Sequence, residues 1–204
     1  MRLIGMLDSP YVRRVAISLK LLRLPFEHEP VSVFRHFDAF AAINPVVKAP
    51  TLITDAGVVL MDSTLILQHA ERLADPALTL EPADLAAHAR AQRLVGLALA
   101  ACEKTVQIVY EHELRPQEKR HEPWLARVRG QLHAAYRLLE EEIGPGEGWL
   151  LGERPMQADI TAAVTLGFIH LLLPGEIADA DVPRLAALAA RAEALPEFAG
   201  TPMT

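Results

Sequence analysis

The sequence contains a single cysteine, Cys102. No internal disulfide can form, and no CxxC redox pair or cysteine-rich zinc site is available. Cys102 lies in LALAACEKTV, where a small buried thiol is the simplest role. Eight histidines include no HExxH or HxxxH pair, so no metal site is expected. There is no basic tail and no long Lys/Arg cluster, which argues against nucleic acid as a partner. No uninterrupted apolar run reaches membrane-spanning length, so no membrane association is expected. The N-terminus carries no basic segment followed by a long apolar run and a cleavage site. The expected location is therefore cytoplasmic.

What is present is an acidic, aliphatic chain. Its 204 residues are 51% hydrophobic and 23% charged, with net charge −6. That length suits one large domain or two small ones, and the composition is that of a soluble, helix-rich globular protein. Short apolar runs and turn signals predict a strand at 3–6, a helix at 10–23 stopped by Pro25, a second strand within 26–33 and a weak helix at 36–43. TLIT and VVLM, joined by Asp55-Ala56-Gly57, read as a hairpin. A helix then starts at Asp62-Ser63, burying Leu65, Ile66, His69 or Ala70, and Leu73. The stretch ADPALTLEPADL (74–85) has two prolines and no period. It divides the chain into a mixed domain of 1–75, a linker of 76–86 and a helical domain of 87–204. Helices are expected at about 84–114, 123–143, from Gln157 and at 183–195, with GPGEG (144–148) as a break. The order β-α-β-α-β-β-α makes the first half a small mixed sheet flanked by helices.

Three stretches of that half carry possible chemistry. In LDSPYVRRVAISLKLL, Ser9 is a good N-cap and Pro10 fits the first helical position. Val12, Val15, Ala16, Leu19 and Leu22 recur at helical spacing, with Arg13, Arg14, Ser18 and Lys20 mostly between them. A hydroxyl thus stands at the positive end of a helix dipole, as a cap or as an active group. In NPVVKAPTL, Pro50 opens a strand and reads either as an ordinary trans proline or as a cis peptide after Ala49. A cis bond would turn the Ala49 backbone sideways toward an extended peptide, and Lys48 beside it can hold a carboxylate. In LMDSTLIL, Asp62 and Ser63 cap a helix. The same junction presents free N–H groups to a ligand carboxylate and a carboxylate to an ammonium group.

These motifs, in this order, resemble those of the cytosolic glutathione transferases over essentially the whole chain. SPYVRR resembles the first-helix start of the serine-type and related bacterial classes, and NPVVKAP the NPxxKxP segment with its cis proline. Asp62-Ser63 is similar to the pair that holds the γ-glutamyl end of glutathione. GERPMQADITAA (152–163) is similar to the second-domain folding motif, except that Met156 replaces the usual Ser or Thr cap three residues before Asp159. The resemblance implies a thioredoxin-like N-terminal domain followed by an all-helical C-terminal domain, a homodimer, and glutathione as co-substrate with no metal. It implies detoxifying attack on a small hydrophobic electrophile held between the domains. Ser9 would activate the glutathione thiol, with Tyr11 as rival donor or pocket wall. Arg35 would lie near the glycine end. Tyr110 and His170 would face the electrophile, although His170 also suits a core position. Serine in place of cysteine disfavours a thiol reductase. A non-catalytic interaction module of the same fold is the alternative, and the joint presence of Ser9, Lys48, Pro50, Asp62 and Ser63 favours the enzyme.

Overall fold

The computed structural model describes residues 1–145 and 147–203. Gly146, inside the predicted break, and Thr204, the end of the predicted helical domain, lie outside the described residues. The chain divides into two compact units. One is Met1–Leu80 together with the stretch from Ala194 onward, and the other is Glu81–Glu193.

The first unit runs β1 (Arg2–Ile4), α1 (Pro10–Leu21), β2 (Glu27–Glu29), α2 (Phe37–Ile43), β3 (Thr51–Ile53), β4 (Val59–Met61) and α3 (Ser63–Leu73). The predicted order holds, with strands trimmed to three residues each. The sheet order is β2-β1-β3-β4. β1 pairs parallel to β2 and antiparallel to β3, and β3 and β4 form the expected hairpin. This is the thioredoxin-like arrangement. Leu3 and Ile4 of β1, Leu52 of β3, Val12, Val15 and Leu19 of α1 and Ile66 of α3 are buried in its core.

Two expectations fail in α3. Leu65 and Leu73 are exposed, at 57% and 51%. Leu65 lies about 100° around the helix from buried Ile66, and Leu73 is the last helical residue. The buried stripe is Ser63, Ile66, Leu67 and Ala70.

In α1 the polar residues between the apolar positions, Arg13, Arg14 and Ser18, are buried as well. Ser18 Oγ donates back to the Arg14 carbonyl at 2.7 Å. Arg13 is covered by the tail, where a short helix α8 (Pro196–Ala199) follows the end of α7 (Pro183–Glu193). Its Nε donates to the Thr201 carbonyl at 2.8 Å, and its guanidinium lies 5.6 Å from the centre of the Phe198 ring. Lys20 Nζ donates to the Gly200 carbonyl at 2.6 Å. The tail therefore groups with the first unit, not with the helices that precede it in sequence.

The second unit contains α4 (Leu85–Glu113), α5 (Glu122–Ile143), α6 (Gln157–Leu172) and α7. α4 packs on α5 and α6, and α6 on α7. α6 is the central helix, buried continuously from Gln157 to Leu166. Cys102 is buried as expected, with Sγ 3.2 Å from Thr165 Oγ1. Met156 supplies no side-chain cap, whereas Asp159 accepts from the N–H groups of Met156 at 2.9 Å and Leu150 at 2.8 Å. One carboxylate thus holds both the helix start and the loop before it. Among the described residues no helix is long and apolar enough to cross a membrane.

Candidate functional site

The strand register gathers the three motif stretches at one end of the sheet. Ile4 pairs with Glu29 and with Thr51, and Thr51 pairs with Met61. One residue further on, Gly5, Pro30, Pro50 and Asp62 therefore form a row along the sheet end. Gly5 has φ +140°, and a Cβ there would lie 2.6 Å from Val12 Cγ2 and 3.3 Å from Ala49 Cβ. The missing side chain lets the start of α1 and the Ala49–Pro50 segment close on the β1 exit. The Ala49–Pro50 peptide is cis.

Around this row the side chains are anchored locally. Asn44 is buried; its Nδ2 donates to Thr51 Oγ1 at 2.9 Å, and its Oδ1 accepts from the Val46 N–H at 3.1 Å. Thr51 Oγ1 in turn donates to the Lys48 carbonyl at 2.8 Å. The 44–51 loop is thus tied from both ends, while the Lys48 side chain is exposed.

Ser9 is half-buried and is the N-cap of α1. Its Oγ accepts from the Val12 N–H at 3.5 Å, the outer limit for such a bond. Among the described residues its hydroxyl proton has no acceptor. Tyr11, the second helical residue, is half-buried. Asp62 holds φ +71°, and its Oδ1 accepts from the Thr64 N–H at 2.9 Å. Among the described residues its other oxygen has no donor. Ser63 is buried, and its Oγ accepts from Arg14 Nη1 at 3.0 Å.

Arg35 is exposed just before α2, where its N–H donates to Ser32 Oγ at 3.1 Å. Burial raises the Asp8 carboxyl above the usual carboxylate range, opposed by the Arg35 charge and by the N–H groups of Ser9 and Asp8. Ser9, Tyr11, Arg35, Lys48, Ala49, Pro50, Asp62 and Ser63 all belong to the first unit.

Tyr110 and His170 belong to the second. Tyr110, near the end of α4, is 43% exposed, and desolvation still raises its phenol. His170, near the end of α6, is half-buried rather than in the core, with Nε2 3.5 Å from Asp179 Oδ1. Two participants escape a periodicity reading. Arg14 falls between the apolar positions of α1, and Asn44 follows the last residue of α2. The available signal was a polar residue next to each motif.

A thioredoxin-like domain followed by a helical domain is the class defined by this fold. The glutathione S-transferase N-terminal domain family matches residues 3–78, and the C-terminal domain family matches residues 122–191. A glutathione S-transferase from Methylobacterium radiotolerans, solved with glutathione sulfonate, is 32% identical with TM-score 0.91. The match covers 98% of this chain and 93% of that one. A glutathione transferase family member from Pseudomonas fluorescens Pf-5 with bound glutathione is 28% identical with TM-score 0.81. That match covers 100% and 98% of the two chains. Maleylacetoacetate isomerase of Pseudomonas aeruginosa is 30% identical over 72% of this chain and 71% of its own. The chain belongs to the glutathione S-transferase family.

Proposed function

We propose that the protein is a glutathione transferase in which the Ser9 hydroxyl stabilises the glutathione thiolate for attack on a small hydrophobic electrophile. One observation carries this reading: a half-buried hydroxyl at a helix N-terminus, with only a long bond to its oxygen and its proton unspent. A thiol of pKa about 8.5 is only about 3% ionised at neutral pH. Lowering that pKa by about two units raises the thiolate roughly 25-fold, worth about 2.7 kcal/mol. Ser9 donates its O–H to sulfur and keeps its proton, while the thiol proton leaves to solvent. The helix N-terminus adds favourable potential. The thiolate then forms a carbon–sulfur bond as the electrophile expels its leaving group or takes up the electron pair. Isomerisation through a transient adduct is compatible with the same step.

The remaining residues hold the tripeptide. Asp62 takes the γ-glutamyl ammonium, Ser63 and the first N–H groups of α3 take its carboxylate, and the Ala49 backbone pairs with the peptide. Lys48 and Arg35 serve the glycine end. Tyr11, Tyr110 and His170 are assigned to the electrophile pocket. A homodimer and a cytoplasmic location belong to the same reading. Sedimentation equilibrium tests the dimer.

The test is a thiolate absorbance titration of the glutathione complex, with kcat/KM, for Ser9→Ala and Tyr11→Phe. Ser9→Ala should raise the bound thiol pKa and lower neutral kcat/KM by roughly 10- to 100-fold, or 1.4–2.7 kcal/mol. The deficit should shrink above about pH 9, where glutathione ionises unaided. Tyr11→Phe should change little. If only the phenylalanine variant shifts, Ser9 is a cap and Tyr11 the donor. Failure of the parent to bind a glutathione resin favours the non-catalytic alternative.

A further inference from the structure

The second unit contains a cavity of about 280 Å³ between the start of α4, the end of α5, α7 and the loop around Trp149. Arg90, Arg184 and Arg191 line it together with Ile143, Trp149 and Leu188. Three guanidinium groups around an aromatic ring and two aliphatic side chains form an unusual wall for an acidic protein. Arg90 donates to the carbonyls of Glu142 at 3.0 Å and Leu150 at 3.4 Å. Arg191 donates to the Gly148 carbonyl at 2.7 Å and lies 5.6 Å from the centre of the Trp149 ring. Among the described residues neither is in an ion pair.

The nearby carboxylates are engaged elsewhere. Asp159 senses the Arg191 charge but accepts from two backbone N–H groups. Glu142 pairs with Arg93. Glu140 faces Arg184 at 3.9 Å and accepts from the Arg184 and Leu185 N–H groups at 2.9 Å. Capping the carbonyl end of α5 explains one bond each of Arg90 and Arg184. It does not explain Arg191 or the ring beside it.

We propose that this cavity is a binding site for a small aromatic carboxylate, separate from the glutathione site. Each guanidinium has five donors, so Arg90 and Arg191 retain N–H groups for a charge-assisted, two-pronged contact with a carboxylate. Ile143, Trp149 and Leu188 shelter one or two rings, which a bare phosphate would leave unused. The volume lies just under the roughly 300 Å³ at which drug-sized sites begin, so the ligand is small. Arg90 and Tyr110 stand on the same helix, and a rise of about 1.5 Å per residue sets them about 30 Å apart. The cavity is thus remote from the residue assigned to the electrophile on that helix.

The experiment is a titration of the full chain with 2-naphthoate, followed by the two indole N–H resonances of Trp124 and Trp149 in ¹⁵N-labelled protein. Trp124→Phe assigns them. The Trp149 resonance should shift saturably while that of Trp124 stays fixed, and glutathione should not reverse the shift. Arg90→Gln and Arg191→Gln should each weaken binding at least about tenfold with the fold intact by circular dichroism. Neutral 2-naphthamide should bind at least about tenfold more weakly than the acid to the unaltered chain, a comparison that stands even if both variants unfold. The proposal is overturned by a fixed Trp149 resonance at millimolar naphthoate, by equal binding of the amide, or by folded arginine variants that bind like the parent. Reversal by glutathione, or competition by inorganic phosphate at the same concentration as naphthoate, would also overturn it.

Discussion

Arg14 is 2% exposed on α1 and donates to Ser63 Oγ at 3.0 Å, so the Ser63 oxygen already has a donor and its proton is left to give. A carboxylate arriving at the start of α3 then meets an O–H, backbone N–H groups and a buried positive charge behind them. In the glutathione reading, Arg14→Lys keeps the charge but loses the fork. It should raise the KM for glutathione about tenfold, or 1.4 kcal/mol, with kcat nearly unchanged in steady-state kinetics. Asp62 tests the other end of the same group. Asn tolerates positive φ and keeps an acceptor for the Thr64 N–H, so Asp62→Asn should hold the melting temperature while weakening glutathione binding in calorimetry. Asp62→Ala should lose both the cap and the affinity. Unchanged affinity in both variants would remove Asp62 from the site.

At the scale of elements, two carboxylates organise helix starts, Glu140 that of another helix and Asp159 that of its own. EEE (140–142) reads as a solvated helix end, yet Glu140 caps α7 by accepting from the Arg184 and Leu185 N–H groups. Asp159 does the same for α6 and adds the Leu150 N–H. Asp159→Ala leaves two part-buried donors without this acceptor, at about 1–3 kcal/mol each if fully desolvated, and chemical denaturation should register about 2 kcal/mol or more of lost stability. Burial raises the Asp159 carboxyl above its ordinary pKa despite those N–H groups and the Arg191 charge. The folded state therefore holds that proton more tightly than the unfolded one. The stabilising contribution is full below the ordinary carboxylate pKa and falls as pH rises through the raised value. Asp159→Asn should flatten that part of the pH–stability curve, although its overall stability is lower.

Such contacts mark where sequence reading stops. Capping residues, the hairpin turn and helical periodicity act within a few positions, so the element order of the first unit and the starts of α1 and α3 were legible from RLI, SPYVRR, DAG and DS. Burial of Arg13 and Arg14, exposure of Leu65, and the reach of Glu140 to α7 depend on which element arrives from far along the chain. No local pattern encodes that arrival. The motif residues of the candidate site were legible because each sits at a strand end or helix start. Their anchors, Arg14 and Asn44, were hidden because their partners lie on other elements or across a loop.

For the molecule as a whole, the tail is the main departure from a division at 76–86. Removing residues 196–204 would expose Arg13 and strip it of the Thr201 carbonyl and the Phe198 ring. Losing the hydrogen bond of a charged group costs about 1.5–3 kcal/mol. Hydrogen exchange in α1 should accelerate in the truncated chain. No acceleration would mean that the tail only rests on the surface. The same tail sets a timetable for synthesis. The first unit emerges from the ribosome early but lacks its final piece until Glu81–Glu193 has been made, a wait of about 6–23 s at roughly 5–20 residues per second. Through that interval the nascent domain carries an uncovered arginine groove, open to chaperones and proteases until the tail arrives.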